Sequence, residues 1–423
     1  LKNRSSSNKK GYPKEFQHFI KSFPTLPEEK IVTELWRSYQ FGTLAHHGQK
    51  RKSGEPYFKH CVEVGKILAD WNMDIDTVIA GLLHDTIEDT TATKEDICEQ
   101  FGEITADLVD GVSKFSGIVF ETRAEQQVEN FMKMFLSVAK DIRVIIIKFA
   151  DRLHNMRTIN YLSPIKRRRI AIETRDVYAP LAHRLGMGKL KWELEDLCLE
   201  VLNVQEFKTL VKKVKTTRSS REKYIKTFSE PILELLKSFG INADILGRTK
   251  HYYSIHRKME KRMNQFEDIY DLLAIRIIVD ELEDCYTALG MIHQLFTPLQ
   301  ERFKDYIATP KINGYQSLHT TVFGDGGKIV EIQIRTKEMD ETAEKGVAAH
   351  WSYKINGSKK ADSDINRQVN WLRDLVDALQ DENKNPHEFL NMLKIDLFHE
   401  EIFVFTPKGH VIKLKSGSTP IDF

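Results

Sequence analysis

A multi-domain chain, an all-α domain followed by an α+β domain, is the fold class the sequence predicts, on three observations. Apolar residues recur at spacings of three and four from Glu28 to about Leu202, and no strand-length alternation bounded by turn residues interrupts them. After Gly240 the texture changes: Leu272 to Val279 and Lys328 to Arg335 alternate as strands, while Glu283 to Phe296 keeps a helical stripe. The 423 residues, 41% of them hydrophobic, are enough for more than one core.

These observations divide the chain into residues 1–200, all-α; 201–240, a helical linker; 241–355, α+β; 356–395, a helical connector; and 396–423, the opening of a small β module. The linker carries a basic run from Lys208 to Lys226 in which Glu222 is the only acid. Leu210, Val211 and Val214 keep a helical stripe within it, so a solvated helix face is the plainer reading and a nucleic-acid contact the sharper one. In the connector, polar residues from Asn356 to Asn366 predict a surface loop, and Val369 to Leu379 and Pro386 to Leu393 predict short helices. Ile402 to Leu414 alternates around the turn Thr406-Pro407-Lys408-Gly409. It ends before a core could close, so the natural protein is expected to continue.

Lys+Arg 63 against Asp+Glu 61 leaves no global field to recruit nucleic acid or a membrane, and any charge argument is local. Cys61, Cys98, Cys198 and Cys285 form no CxxC pair, which fits neither a disulfide framework nor a zinc knuckle and agrees with a reducing cytoplasm. The apolar stretch Val144 to Ala150 is far short of the ~20 residues of a membrane-spanning helix, and Leu1 to Lys10 lacks the apolar core of a signal peptide. A cytoplasmic protein without membrane contact is expected.

The most informative stretch is Leu82-Leu83-His84-Asp85-Thr86-Ile87-Glu88-Asp89, entered through the apolar run Val78 to Leu83. Read as one helix, it sets His84 under Glu88 and Asp85 under Asp89, both pairs facing one pocket. A divalent metal is the economical way to neutralise such a buried set. His60 and Asp151 are further candidate ligands, with Asn155 one helical turn beyond Asp151. Two imidazoles and two carboxylates suit manganese or iron(II), and thiolate-poor surroundings argue against structural zinc. An HD dipeptide alone is also what a capped surface helix shows; the ordered set His60, His84-Asp85 and Asp151 is more specific.

These motifs, from Arg51-Lys52-Ser53-Gly54-Glu55-Pro56-Tyr57 through HDxxED to Lys148-Phe149-Ala150-Asp151-Arg152-Leu153-His154-Asn155, resemble the HD phosphohydrolase domain of the long RelA/SpoT homologues. The resemblance implies Mn2+ held by His60, His84, Asp85 and Asp151, and a water-activating pair, Glu88 and Asp89. It implies that Arg51, Lys52, Ser53, Asn155 and Thr158 line a guanosine and phosphate pocket. The implied reaction removes pyrophosphate from (p)ppGpp, leaving GDP or GTP. Cys61 departs from the proline usual after the histidine, and Met132 from the arginine expected after Glu129-Asn130-Phe131; neither is read as a ligand.

In the second half, Gly247-Arg248-Thr249-Lys250-His251 sets two cations and a glycine before a helix, suited to triphosphate yet common on surfaces. Asp271 opens a strand, as a solvated end or a magnesium ligand. On the later strand Ile329, Glu331, Gln333 and Arg335 share one face over a packed Val330, Ile332 and Ile334, either as functional groups or as an ordinary solvent face. The run Arg302 to His319 between them brings cations, aromatics and a histidine together, suited to phosphate and base binding. No GxxxxGK[ST] is present.

Over about Arg248 to Trp351 this half resembles the RelA/SpoT synthetase domain, a nucleotidyltransferase-like fold. The resemblance implies Mg2+ on Asp271 and Glu331, with Glu331 also deprotonating the guanosine 3′-hydroxyl. It places Arg248 and Arg276 around adenine, Lys250 and Lys304 on ATP phosphates, Tyr315 on guanine, and Lys311, Asn313 and His319 nearby. Transfer of pyrophosphate from ATP to GTP or GDP would then yield (p)ppGpp and AMP, and the RxKD form of Arg302-Phe303-Lys304-Asp305 goes with bifunctional enzymes and a leaning towards GTP. The last segment resembles the start of a TGS domain. A region beyond it is expected to engage the ribosome and uncharged tRNA. Two competing expectations are a chain with one silent, regulatory site and a ribosome- or tRNA-binding stress sensor.

Overall fold

The computed structural model describes residues 11–113, 134–248, 250–262, 273–311, 313–355, 370, 401–408, 411–415 and 418–423. Residues 114–133, with Met132, Asp271, and nearly all of the predicted connector lie outside them.

Every regular element of the described chain as far as Ser238 is a helix, with one isolated β-bridge between Lys50 and Pro56. Phe58–Asp70, Ile75–Leu83 and Arg143–Arg157 carry the apolar stripes at the centre of the first core, where Val64, Leu68, Leu82, Leu83, Ile146 and Phe149 are fully buried. Asp74 starts the second of these by accepting from Thr77 N at 3.0 Å. The same carboxylate takes Arg143 Nη1 at 3.1 Å and Trp351 Nε1 at 2.8 Å, so a helix cap also ties in a residue far along the chain.

The linker is one helix, Val204–Ser238, with Pro231 inside it. Leu210 packs into a small cluster with Leu199 and Ile255, whereas Lys212, Lys215 and Arg218 are exposed and Arg218 pairs with Glu222 at 2.8 Å. These cations lie on the surface, as both readings of the basic run require.

Beyond it a five-stranded mixed sheet forms from β1 (Ala243–Gly247), β2 (Ala274–Val279), β3 (Lys304–Asp305), β4 (Leu318–Phe323) and β5 (Ile329–Thr336), ordered β1-β2-β5-β4-β3. Only β2 and β5 run parallel. Ile275, Ile277, Leu318, Val322, Val330, Ile332 and Ile334 turn to one side, where the helix Leu282–Leu295 and the end of the long helix cover them. The alternation in the sequence is thus the sheet's inside and outside. A two-stranded hairpin, β6 (Glu401–Phe405) with β7 (Val411–Lys415), is the last strand pair among the described residues.

The two halves share structure. Helix Val347–Ile355 follows the sheet, yet Val347 and Ala348 are buried in the first core, and Val347 N donates to Leu185 O at 3.0 Å. At this seam Gly346 has φ 56°, and a Cβ there would stand 2.3 Å from Leu185 O and from the Gly186 carbonyl carbon. Only glycine fits.

Candidate functional sites

In the first half the helix expected through HDxxED is broken. Ile75–Leu83 ends before His84, Asp85 has φ −97° and ψ −2°, and a separate turn runs Thr86–Asp89. On a continuous helix adjacent residues diverge by about 100°. The break instead lets His84 and Asp85 face the same point, with His84 Nε2 3.1 Å from Asp85 Oδ2.

Three elements converge there. His60, in the first turn of Phe58–Asp70, sets Nε2 3.2 Å from Asp151 Oδ1 and 3.7 Å from Asp85 Oδ2; His84 Nε2 lies 3.9 Å from Asp151 Oδ1. Both imidazoles are buried, while the two carboxylates keep about a sixth of their surface open. His84 Nδ1 is used on Gly81 O at 2.9 Å, which fixes the ring and aims Nε2 into the cluster, where it is buried and makes no hydrogen bond. Such an atom and N/O donors at this spacing fit a divalent cation of the manganese or iron(II) type.

Burial alone would raise the carboxyls of Asp85 and Asp151. The facing His84 for Asp85, and His60 and His84 for Asp151, outweigh it and hold both below the usual range. Burial pushes His60 down despite Asp151, whereas Asp85 overcomes burial and holds His84 above its ordinary value. The two carboxylates make the pocket attractive to a cation.

The predicted nucleotide residues gather beside it. Arg51 Nη2 donates to Asn155 Oδ1 at 2.7 Å and Nη1 to Thr158 Oγ1 at 3.2 Å, and Asn155 also donates to Asp151. Asn155 therefore joins an arginine clamp to the carboxylate cluster. Ser53 and Lys52 sit on the turn before Glu55; Ser53 donates to Glu55, and Lys52 is exposed. Glu88 is half-buried on the short turn and Asp89 is exposed.

Sequence reasoning missed two neighbours. Tyr57 donates its hydroxyl to Asp85 Oδ2 at 2.9 Å and also reaches Asp89. His154 Nδ1 lies 2.7 Å from His60 Nδ1, and burial, with His60 and Arg51 close by, lowers it to about 3. Both stand inside motifs quoted for other residues; one lies next to a helix start, the other three residues past Asp151. The thiolate-poor expectation also needs correction: the buried Cys61 lies within 4.8 Å of His84 and Asp85 donors.

On the sheet's other face, register builds the second site. Lys304 pairs with His319, His319 with Gln333, and Gln333 with Arg276, so one row of polar side chains crosses four strands. Glu331 lies one step along the same face and accepts from Gln333 Nε2 at 3.0 Å. Arg248 enters from the end of β1, its Nη1 3.8 Å from Glu331 Oε1, and Lys250 follows before the helix Tyr252–Arg262. Burial would raise Glu331, but the Lys250 and Arg248 charges prevail and lower it. This face is no ordinary solvent face, since Gln333 is 3% and Arg335 1% exposed.

Tyr315 donates to or accepts from His319 Nε2 at 2.8 Å, and Tyr306 stands edge-on to both rings. Lys311 Nζ lies 4.6 Å from the Tyr306 ring and 5.2 Å from that of Tyr315. Burial and the cations Lys311, Arg248 and Arg335 bring His319 to about 4 despite Glu331, so it is neutral at pH 7. Asn313 faces the first half, donating to His183 O at 3.1 Å. The sequence missed the tie behind the row: Arg276 Nη1 contacts Asp340 and Glu344 at 3.0 Å each, and Arg335 Nε donates to Asp340 at 2.8 Å.

No helix among the described residues is long and apolar enough to cross a membrane. An HD domain model matches residues 38–188, and the region found in RelA / SpoT proteins matches residues 247–358. The chain is 47% identical over 410 residues to a GTP pyrophosphokinase of Streptomyces coelicolor, covering 94% of this chain and 48% of that protein. It is 47% identical over 398 residues to a bifunctional (p)ppGpp synthase/hydrolase SpoT of Escherichia coli, covering 94% and 56%. The chain thus spans about half the length of the curated relatives it matches. Holding both regions in that order, with this identity along nearly all of its length, the chain belongs to the RelA/SpoT family.

Proposed function

We propose that this chain both hydrolyses (p)ppGpp to GDP or GTP plus pyrophosphate and synthesises it from ATP and GTP or GDP, releasing AMP. The observation that carries the reading is the bridge through Asn155, which sets a cation-binding cluster one side chain from an arginine anion clamp. Diphosphate hydrolysis needs those two parts together.

In the hydrolase, His60, His84, Asp85 and Asp151 would hold Mn2+, which polarises phosphorus and lowers the pKa of a bound water. Arg51, with Lys52, Ser53, Asn155 and Thr158, binds the nucleotide and its phosphates, while Glu88 or Asp89 orients the water and takes its proton. In the synthetase, Arg248 and Arg276 enclose adenine, Lys250 and Lys304 meet ATP phosphates, and Tyr315 stacks on guanine with Lys311, Asn313 and His319 around it. Glu331, ionised at neutral pH beside two cations, accepts the 3′-hydroxyl proton. Asp271 and Glu331 would hold Mg2+, which offsets phosphate charge. The boundaries drawn from the sequence, the cytoplasmic setting, and a ribosome or tRNA contact beyond residue 423 belong to the same proposal.

The test uses two assays, ppGpp with Mn2+, and ATP with GTP and GDP in competition with Mg2+. Asp85→Asn should abolish cleavage and keep synthesis, Glu331→Gln should do the reverse, and GTP should show the higher kcat/KM. Cleavage at the wild-type rate by Asp85→Asn, or synthesis by Glu331→Gln, would remove that site from the reading.

A further inference from the structure

Cys61 follows His60 directly on the helix Phe58–Asp70 and is fully buried. Its Sγ, a His84 nitrogen and an Asp85 carboxylate oxygen all lie within 4.8 Å of one another; the donor atoms of His60, His84 and Asp151 meet the same measure. The two triads share His84, whose Nε2 is buried, aimed into the cluster and without a hydrogen bond. The other buried thiols point elsewhere: Cys198 donates to Ala171 O at 3.3 Å and Cys285 to Glu281 O at 3.8 Å.

Donors on one ion, at about 2.3 Å for sulfur and about 2.0 Å for nitrogen, stand at most about 4.3 Å apart. The sulfur neighbours the His84 and Asp85 donors, and closing on an ion held by them would bring it within that limit. A hard cation has little affinity for thiolate, while zinc-class cations prefer it.

We propose that Cys61, beside His84 and Asp85, supplies a sulfur donor to the hydrolase metal centre, through which the pocket takes a softer, zinc-class divalent cation that nitrogen and oxygen donors alone would not favour. Ligation displaces the thiol proton to solvent. The inference rests on the metal-centre reading above and adds to it a metal selectivity belonging to this sequence, in which cysteine stands where proline is expected.

The experiment is metal titration of the whole chain after chelation and desalting. Cd2+ X-ray absorption should show one sulfur neighbour, and Co2+ should produce a near-ultraviolet thiolate charge-transfer band that Cys61→Ser lacks. Cd2+ affinity should fall at least about tenfold in Cys61→Ser, while Mn2+ affinity changes less than about twofold. A wild-type Cd2+ site without sulfur overturns the proposal whatever the variant does. So does a cobalt band or a Cd2+ affinity that survives Cys61→Ser, since another thiol would be responsible. Mn2+ binding in those cases leaves the metal centre itself standing, whereas failure to bind either Mn2+ or Cd2+ sinks both.

Discussion

At the scale of single residues, the side chains that hold the proposed ligands are as informative as those ligands. Tyr57 donates to Asp85 and borders Asp89, so it orients one proposed ligand and reaches one proposed base. Tyr57→Phe is expected to weaken Mn2+ binding by about tenfold to a hundredfold, the range for lost partners of metal ligands. Calorimetric Mn2+ titration of the variant checks this, and unchanged affinity would leave Tyr57 a packing residue. His183 and His319 give a second expectation. Burial and nearby cations lower each to about 4, against an ordinary value near 6.5. Each imidazole folds neutral and takes up a proton more readily when unfolded, so its stabilisation is present above pH 6.5 and falls away as pH drops towards 4. The urea midpoint should therefore decline between pH 6.5 and pH 4.5, less steeply in a His319→Gln chain. The cluster of His60, His84, Asp85 and Asp151 was legible because its order and residue types are specific. Tyr57, His154 and the Arg335–Asp340 pair were not, because their roles arise from neighbours remote in sequence.

At the scale of elements, spacing predicted the helices and the strand faces but not the break at His84-Asp85. An apolar run followed by polar residues reads the same whether the helix continues or stops. The sheet's alternation was legible because period two leaves one assignment, and Val330, Ile332 and Ile334 are inside as expected. What it left open was whether Glu331, Gln333 and Arg335 met water, which depends on the residues that cover them. The seam at Gly346 yields a prediction of its own. Gly346→Ala introduces a Cβ 2.3 Å from backbone atoms at a left-handed φ. A loss of about 1 to 3 kcal/mol from overpacking is expected, more if the turn cannot relax. Chemical denaturation measures it, and a neutral result would mean that the Leu185–Gly188 turn can move away.

At the scale of the whole molecule, one helix links the two proposed sites. Arg157, on the helix that carries Asp151 and Asn155, holds Glu193 at 2.6 Å; the preceding residue, Trp192, stacks on His251 at 4.8 Å and lies under Arg248. Helix Gly188–Leu202 thus touches the helix that carries Asp151 on one side and Arg248 on the other. Simultaneous turnover would convert ATP to AMP and pyrophosphate with no net product, so opposed occupancy is expected, with a coupling of about 1 to 3 kcal/mol. Affinity for a non-cleavable ppGpp analogue at the first site, measured with and without a non-reactive ATP analogue and GDP, should differ by about fivefold or more. Tyr315→Ala separates this from competition at the second site, and Trp192→Ala should shrink the difference. Equal affinities with both sites filled would make them independent. This link was only partly legible: the joining helices were visible, but the contacts of Trp192 and Glu193 depend on tertiary packing.

The burial of Val347 and Ala348 in the first core also governs how the protein is made. Synthesis at ~5 to 20 residues per second takes roughly 7 to 30 s to run from Leu202 to Trp351. During that interval the emerging helical half has every residue of its own but lacks the apolar contacts and the Trp351–Asp74 bond supplied from beyond the sheet. Its final fold is therefore reached only after the second half has formed, and a stalled or cleaved chain leaves that surface exposed to aggregation and proteolysis.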